Sequence, residues 1–393
     1  MAAEAISRGR SLPEGWLLAA VFAVPVVAAL ILLPFLSFRP NRLVVGEGIW
    51  LWDASSPAGT LIGAGLLSGL ALASVATDRQ LLRALIAGAG VAVTAWLAGY
   101  GASALMADAP VIARVSLGAG FWIAIAFFGL AMADALARLA PHPGVSVALM
   151  LAISAGVLAA LGGGWFDDLS ILHEYRANRD AFASAFTGHL LLVGASLLPA
   201  LLIGVPLGRL CFASRPVRMV ALPILNILQT TPSIAMFGLL MIPLGALVIA
   251  MPWLGRLGIA GIGAAPAILA LALYSLLPIV SNTIAGFEAV SGDVREAGRA
   301  MGMTRRALLL QVELPLAAPV ILTGFRIVVV QNIGLATVAA LIGGGGFGTL
   351  VFRGMGQAAT DLILLGTLPI IALAILATVL LDAGIAMIER RTP

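Results

Sequence analysis

Hydrophobic residues in this chain come in long unbroken blocks, not in the alternation of a half-buried sheet or the narrow stripe of a soluble helix. A helical membrane span needs about 20 consecutive apolar residues. Ten blocks qualify, near 16–36, 59–77, 81–101, 111–138, 145–163, 186–208, 217–242, 265–288, 320–342 and 362–386. The stretch 244–262 is also apolar, but it is rich in Gly and Pro and contains Arg256. It reads as an outer-side, partly re-entrant segment, because irregular backbone at membrane depth needs protein or a cavity around it. The predicted fold is an all-α integral membrane protein with about ten transmembrane helices.

The first block follows Arg8 and Arg10, as the apolar part of a secretory signal would. It is about 21 residues long, against about 7–15 for such a signal. It ends in Ser37-Phe38-Arg39-Pro40, which is no cleavage pattern. A retained span is expected.

The blocks divide at the longest polar stretch, Gly162 to Asp180. The expected organisation is an N-terminal group of five spans over 1–165, an outer-side linker over 166–185, and a second group over 186–390. No sequence repeat relates the two groups. Asp167, Asp168, Glu174 and Asp180 lie close together in the linker, but their spacing matches no calcium loop. A solvated loop is expected there.

Charge supplies the orientation. With the N-terminus in the cytoplasm and strict alternation, fourteen arginines fall inside: Arg8, Arg10, Arg79, Arg83, Arg138, Arg209, Arg215, Arg218, Arg295, Arg299, Arg305, Arg306, Arg390 and Arg391. Seven fall outside: Arg39, Arg42, Arg114, Arg176, Arg179, Arg256 and Arg353. Arg326 falls within a span, near its cytoplasmic end. This excess fits the positive-inside rule, with both termini cytoplasmic. Letting 244–262 cross the membrane would spoil it.

Composition agrees and excludes several functions. The chain is 61% hydrophobic and 10% charged, with mean hydropathy +1.10, where a soluble domain is about 45–50% apolar and about 25% charged. Its 22 basic residues are all Arg, and they are scattered, unlike the patch or stripe of a nucleic-acid-binding protein. A phosphate loop needs a Lys to reach the β- and γ-phosphates, so this chain cannot be a P-loop ATPase by itself. The single cysteine, Cys211, excludes an intramolecular disulfide. Cys/His metal spacing, a nucleophile elbow and paired carboxylates within one span are all missing from the sequence, so no covalent chemistry is expected.

One long amphipathic stretch falls on the cytoplasmic side, Gly292 to Pro315 (GDVREAGRAMGMTRRALLLQVELP). Val294, Ala297, Gly298 and Met301 recur at i, i+3, i+4 and i+7 and form one apolar stripe, with Arg295, Glu296 and Arg299 off it. Gly302 interrupts the helix, Thr304 can cap a second one, and Pro315 bounds it. Two short helices along the inner surface are predicted. That shape suits docking into a groove on another protein, or simply covering the membrane surface.

The residues of this stretch resemble the Glu-Ala-Ala signature of binding-protein-dependent ABC permeases. Glu296-Ala297-Gly298 is followed by three residues, Gly302, nine residues, then Val312, Glu313 and Leu314-Pro315. Gly298 stands where the family has a second Ala, and Val312 where it has Ile. Neither departure alters the spacing. The resemblance implies a coupling helix that inserts into an ATP-binding subunit, shaped by Glu296, Ala297, Gly298, Gly302, Leu314 and Pro315. Further segments, Gln229–Ser233, Tyr274–Thr283 and Val330–Gly334 followed by Ala340–Gly348, look like the osmoprotectant uptake permeases, which move glycine betaine, choline, carnitine or related compounds. The likeness covers roughly 180–390, and the added spans before it resemble the longer branch of that family.

The same segments hold the candidate pathway residues: Gln229, Thr230, Pro232, Ser233, Tyr274, Asn282, Gln331 and Asn332. Uncharged polar groups in a span are costly to bury unpaired, so each either bonds across helices or faces a wet pathway. Pro232 and Pro278 would kink their spans and free carbonyls, which suits a cavity wall or helix packing. Tyr274 is the aromatic in a core span best placed for cation–π contact with a quaternary ammonium. The run Gly343–Gly346 lacks a following Lys and reads as a tight outer-side turn. Asp134, Glu288, Asp361, Asp382 and His189 lie near span ends, too shallow for a proton relay.

The resemblance therefore implies a type I ABC importer permease with a five-span, methionine-permease-like core in a bacterial inner membrane. Its implied partners are an ATP-binding subunit, a periplasmic substrate-binding protein, a second permease subunit, identical or homologous, and membrane lipid. This subunit would carry no cofactor, ATP and Mg being bound by the partner ATPase. The alternatives are a permease for another small solute such as an amino acid, or a secondary transporter needing no ATPase.

Overall fold

The computed structural model describes residues 24–41, 44–54, 57–77, 79–256 and 258–390. Part of the first expected span, 16–36, lies outside the described residues. Of the rest, 24–32 is helical, and Leu36 already belongs to a strand. The described residues form two compact units, those up to 142 with 152–174, and 143–151 with those from 175 onward. Among the described residues eight helices are long and apolar enough to cross a membrane.

The first unit contains helices α1 (Pro57–Ala76), α2 (Gln80–Met106) and α3 (Ala119–Leu139). It also contains a small antiparallel sheet that hydropathy did not reveal. Strands β1 (Leu36–Arg39), β2 (Glu47–Ile49) and β3 (Arg114–Leu117) pair in the order β2-β1-β3. Leu36 stands opposite Ile49 on one side and Leu117 on the other. The expected span 111–138 therefore begins only at Ala119. Its start is fixed by close approach: Gly118 and Gly120 donate to the carbonyls of Phe35 and Pro34, and a Cβ on Gly118 would lie 2.3 Å from the Pro34 oxygen. Phe35, Leu36, Leu67, Leu97, Phe121 and Phe128 form the core beneath the sheet.

The polar stretch after helix α4 (Pro143–Gly162) is not the solvated loop expected. Asp168 accepts a hydrogen bond from Ser103 at 2.8 Å, Leu169 bridges to Val115, and α5 (Ser170–Ala177) buries Ser170 and Glu174. Asp168 is thus tied to α2 through Ser103.

In the second unit, α6 (Arg179–Ala213) is followed by α7 (Arg215–Thr230), α8 (Ser233–Ala250) and the short α9 (Trp253–Arg256). The expected span 217–242 is thus two helices. Thr231 and Pro232 are extended, and Pro232 precedes α8 instead of kinking it. The sixteen residues of α7 reach about 24 Å, short of the hydrocarbon thickness, and its composition is amphipathic. The apolar residues 244–250 complete α8, so 244–262 is not one re-entrant segment.

Helix α10 (Ala264–Ala289) is the hub of this unit. It packs against α6 and α13 (Leu314–Leu335), and α13 packs in turn on α15 (Thr360–Glu389). The expected span 320–342 is displaced: the helix starts before Pro315, ends at Leu335, and gives way to a 3-10 turn over Val338–Ile342. Gly343–Gly346 makes a tight turn, with positive φ at Gly343, Gly345 and Gly346, and leads into α14 (Gly348–Gly356). Lipid offers no hydrophobic drive for helix association, so small residues and close backbone approach must supply it. Gly204 and Gly208, four apart on α6, do this: a Cβ would lie 2.7 Å from Ile279 Cγ2 at the first and 2.5 Å from Thr283 Cβ at the second.

Gly208→Val is expected to lower the detergent-solubilised melting temperature, because overpacking a filled site costs about 1–3 kcal/mol. Gly194→Val, where a Cβ meets nothing within 4 Å, should leave it nearly unchanged. Equal melting temperatures for the two variants would refute this account of the α6–α10 contact.

Candidate functional site

The inner element begins with α11 (Gly292–Ala300), whose ends are both specified locally. Ser291 Oγ accepts from the Val294 N–H at 3.3 Å, with Asp293 in the first turn and Arg299 in the last, the arrangement that suits the helix dipole. At the other end Gly302 takes φ +76°. Its N–H bonds the Arg299 carbonyl at 2.9 Å, and the Met303 N–H bonds the Gly298 carbonyl at 3.1 Å. This pair of bonds is the Schellman motif, which needs a left-handed residue at the position Gly302 occupies. Thr304 then caps α12 (Arg305–Leu308), accepting from the Ala307 N–H at 3.2 Å.

The second helix is not short, contrary to expectation. A π-helical turn over Leu309–Glu313 joins α12 directly to α13. The Leu314 N–H bonds back to Leu309, a wide turn just ahead of Pro315, which has no N–H and whose ring would crowd the carbonyl four residues earlier. Pro315 thus sits in the first turn of the span, a tolerated position, and 305–335 is one rod.

The predicted stripe on α11 is largely uncovered. Gly298 is buried, because Leu308 packs where a side chain would be: a Cβ there would lie 2.6 Å from Leu308 Cδ1. Val294, Glu296, Ala297 and Met301 are exposed, Met301 at 75%. Leu314 is half-buried at the rod's turn and Pro315 is exposed.

Beneath α11 lies a charged cluster that the sequence reading did not single out. Glu313 is buried and receives Arg295 Nε at 2.8 Å and Arg209 Nη2 at 3.4 Å. Arg295 also donates to the carbonyls of Phe287 and Val290 at the C-terminal end of α10. The Arg209 guanidinium lies 5.3 Å from the Phe212 ring centre and 5.0 Å from that of Phe287, and Arg295 lies 5.1 Å from Phe212. Two cations thus share one carboxylate and two aromatic faces. The cluster binds α11, the π turn, α6 and α10 together. Arg218 and Glu288, at 2.6 Å, attach α7 to the same end of α10.

The candidate pathway residues separate into two groups. Asn332 is fully buried, and its Nδ2 donates to Ser196 and Ser275, each at 2.9 Å. It bridges α6, α10 and α13, so its amide is consumed by helix packing and not offered to a pathway. Tyr274 is buried too, and its hydroxyl donates to the Thr231 carbonyl at 2.7 Å, holding the break between α7 and α8. Gln331 Nε2 lies 3.5 Å from the Tyr274 carbonyl, the group that Pro278 cannot serve four residues later. Asn282 Nδ2 donates to the Pro278 carbonyl at 2.9 Å. Nearby, His189 Nε2 meets the Ile333 carbonyl at 3.0 Å, which the tightening at the end of α13 leaves free. By contrast, Thr230 and Pro232 are exposed and Gln229 and Ser233 half-exposed at the helix break. Thr230 bonds only its own helix.

Comparison with known proteins bears on both units. A family model described as "Binding-protein-dependent transport system inner membrane component" matches residues 200–392. Another, "ABC transporter permease YehY, N-terminal domain", matches 15–172. Over 207 residues the chain is 42% identical to the osmoprotectant import permease protein OsmW of Salmonella typhimurium, covering 53% of this chain and 91% of that one. Over 214 residues it is 36% identical to the carnitine transport permease protein OpuCD of Listeria monocytogenes, covering 54% and 88%. A solved inward-facing structure of the MetNI methionine ABC transporter aligns with TM-score 0.46 and 22% identity, over 54% of this chain and 98% of that one.

Removing one member of a buried ion pair costs about 3–5 kcal/mol, because the partner charge is left uncompensated. Glu313→Ala should therefore destabilise the second unit by that order, read as a lower melting temperature or faster proteolysis within 290–313. Glu313→Gln, which keeps one of the two acceptor oxygens, should fall between. A wild-type response in both would dismiss the cluster.

Proposed function

This chain belongs to the family of binding-protein-dependent transport system inner membrane components, and on that premise we propose that it forms the solute pathway of an ATP-driven importer for osmoprotectants such as glycine betaine, carnitine or choline. As a permease subunit it performs no hydrolysis of its own in this reading. The sequence contains no Lys to complete a phosphate loop, so ATP and Mg belong to a partner ATPase. A soluble receptor delivers solute on the outer side, and a second permease subunit completes the pathway. The membrane is a bacterial inner membrane, with both termini cytoplasmic by the arginine excess.

The observation that carries the reading is the two-sidedness of the inner element. Its outward side offers Val294, Glu296, Ala297 and Met301 uncovered by this chain. Its inward side is bonded through Arg295 and Glu313 to three membrane-crossing helices. Such an element takes hold of a partner on one side and passes displacement to the spans on the other. Closure of the ATPase pair would move α11, and the charged cluster would carry α6, α10 and α13 with it. Gly302 holds the turn that aims α11, and Pro315 sits where that rod enters the membrane. Specificity rests with the receptor, in keeping with Tyr274 being buried instead of lining a cage.

Glu296→Lys and Gly302→Val should each cut ATP-driven uptake by about tenfold or more, equivalent to about 1.4 kcal/mol at the interface, with the protein still in the membrane. Uptake in reconstituted vesicles, measured beside ATPase activity, checks this. Normal uptake in both variants would sink the docking role.

A further inference from the structure

Arg326 of α13 and Asp382 of α15 form an ion pair between two membrane-spanning helices. By hydropathy Arg326 lies near the cytoplasmic end of its span. The observed start of α13 moves it to the middle: it stands twelve residues after Leu314 and nine before Leu335, about 18 Å and 14 Å along the axis. Asp382 is seven residues from the end of α15, about 10 Å. The side chains remain 33% and 46% exposed, so this chain does not close over them. One turn away on the same helix faces stand Thr323 and Thr378, both half-buried and bonded to their own helices. Lipid tails are a poor medium for such a pair. Charged side chains within spans face protein or a water-filled cavity.

We propose that this face lines the aqueous solute pathway, and that Arg326 and Asp382 together receive a zwitterion. The carboxylate of the solute would take the Arg326 guanidinium and its cationic end the Asp382 carboxylate. Each charge of the pair then exchanges one partner for another, and the pathway stays neutral in both states. A solute with one net charge would leave one member of the pair unmatched. The internal ion pair competes with the solute, so binding is weak and release is easy, as a conduit requires. This inference rests on the osmoprotectant reading above, within which glycine betaine and carnitine are zwitterions and choline is a cation.

The test uses the complete importer in vesicles, with ATPase and receptor, and compares glycine betaine with choline uptake. Arg326→Gln should lower betaine uptake by about tenfold, the loss of one charge-assisted hydrogen bond, and spare choline. Asp382→Asn should lower choline uptake more than betaine. The betaine-to-choline ratio therefore moves in opposite directions in the two variants. A purely structural ion pair would depress both solutes together, and that result overturns the proposal. A second measurement needs no particular solute: Thr378→Cys on a Cys211→Ala chain should react with a membrane-impermeant thiol reagent, and betaine should slow the reaction. No labelling in either nucleotide state also overturns it. A wild-type importer that carries neither solute instead refutes the osmoprotectant reading on which the proposal is built.

Discussion

The Glu313 carboxylate, enclosed between two guanidinium groups, is the contact on which the inner element depends. Helix α11 has nine residues, too few to be stable alone in water. Its apolar stripe offers little burial, since only Gly298 is covered. What holds it is Arg295, which reaches down to Glu313 and to the carbonyl end of α10. One cation, Arg295 on Oε1, balances the charge but leaves Oε2 without a donor. The second, Arg209, comes from α6, and that requirement ties the element to a third helix. The electrostatic need of one residue therefore decides which spans the inner element is tied to.

The spans themselves are held by a different balance. In lipid the closeness of backbones and the pairing of polar groups replace hydrophobic burial. Gly204 and Gly208 bring α6 against α10, and Asn332 then bonds a serine on each. The two devices depend on each other: an amide reaches two hydroxyls at 2.9 Å only if the helices already lie in close contact. Proline freedom is compensated in the same way. Pro278 strips one donor from α10, and Gln331 on the facing helix turns its amide toward the carbonyl left over.

Much of this was legible in the residues. The span blocks, the Gly302 turn and the Thr304 cap each follow from one dominant local effect, bulk hydropathy or backbone conformation. The small sheet was hidden because strands of three and four residues carry too little alternation to be read. Pro315 reads as a boundary, but a π turn before it removes the clash and lets the helix run on. Glu313 escaped because hydropathy treats a charge as a span limit, whereas here the charge is buried by partners 104 and 18 residues away along the chain, Arg209 and Arg295. Asn332 and Tyr274 show the same limit. Sequence says that a polar group in a span must have a partner, and only packing says whether that partner is protein or water.

That distinction also sorts the candidates for contact with solute. A donor already committed to a buried helix contact cannot bind a solute without breaking the fold, so Asn332 and Tyr274 belong to the scaffold. Gln331 and Asn282 are committed to the carbonyls around Pro278. What remains open is the helix break at Gln229–Ser233 and the half-exposed pair Arg326–Asp382. These differ in kind. At the break the available groups are neutral, and Thr230 is bonded to its own turn. At the pair the groups are charged and can change partners without leaving a charge unmatched. A pathway that must neither repel a dipolar solute nor retain it needs groups of the second kind, because only there does the competing internal contact set the strength of the hold.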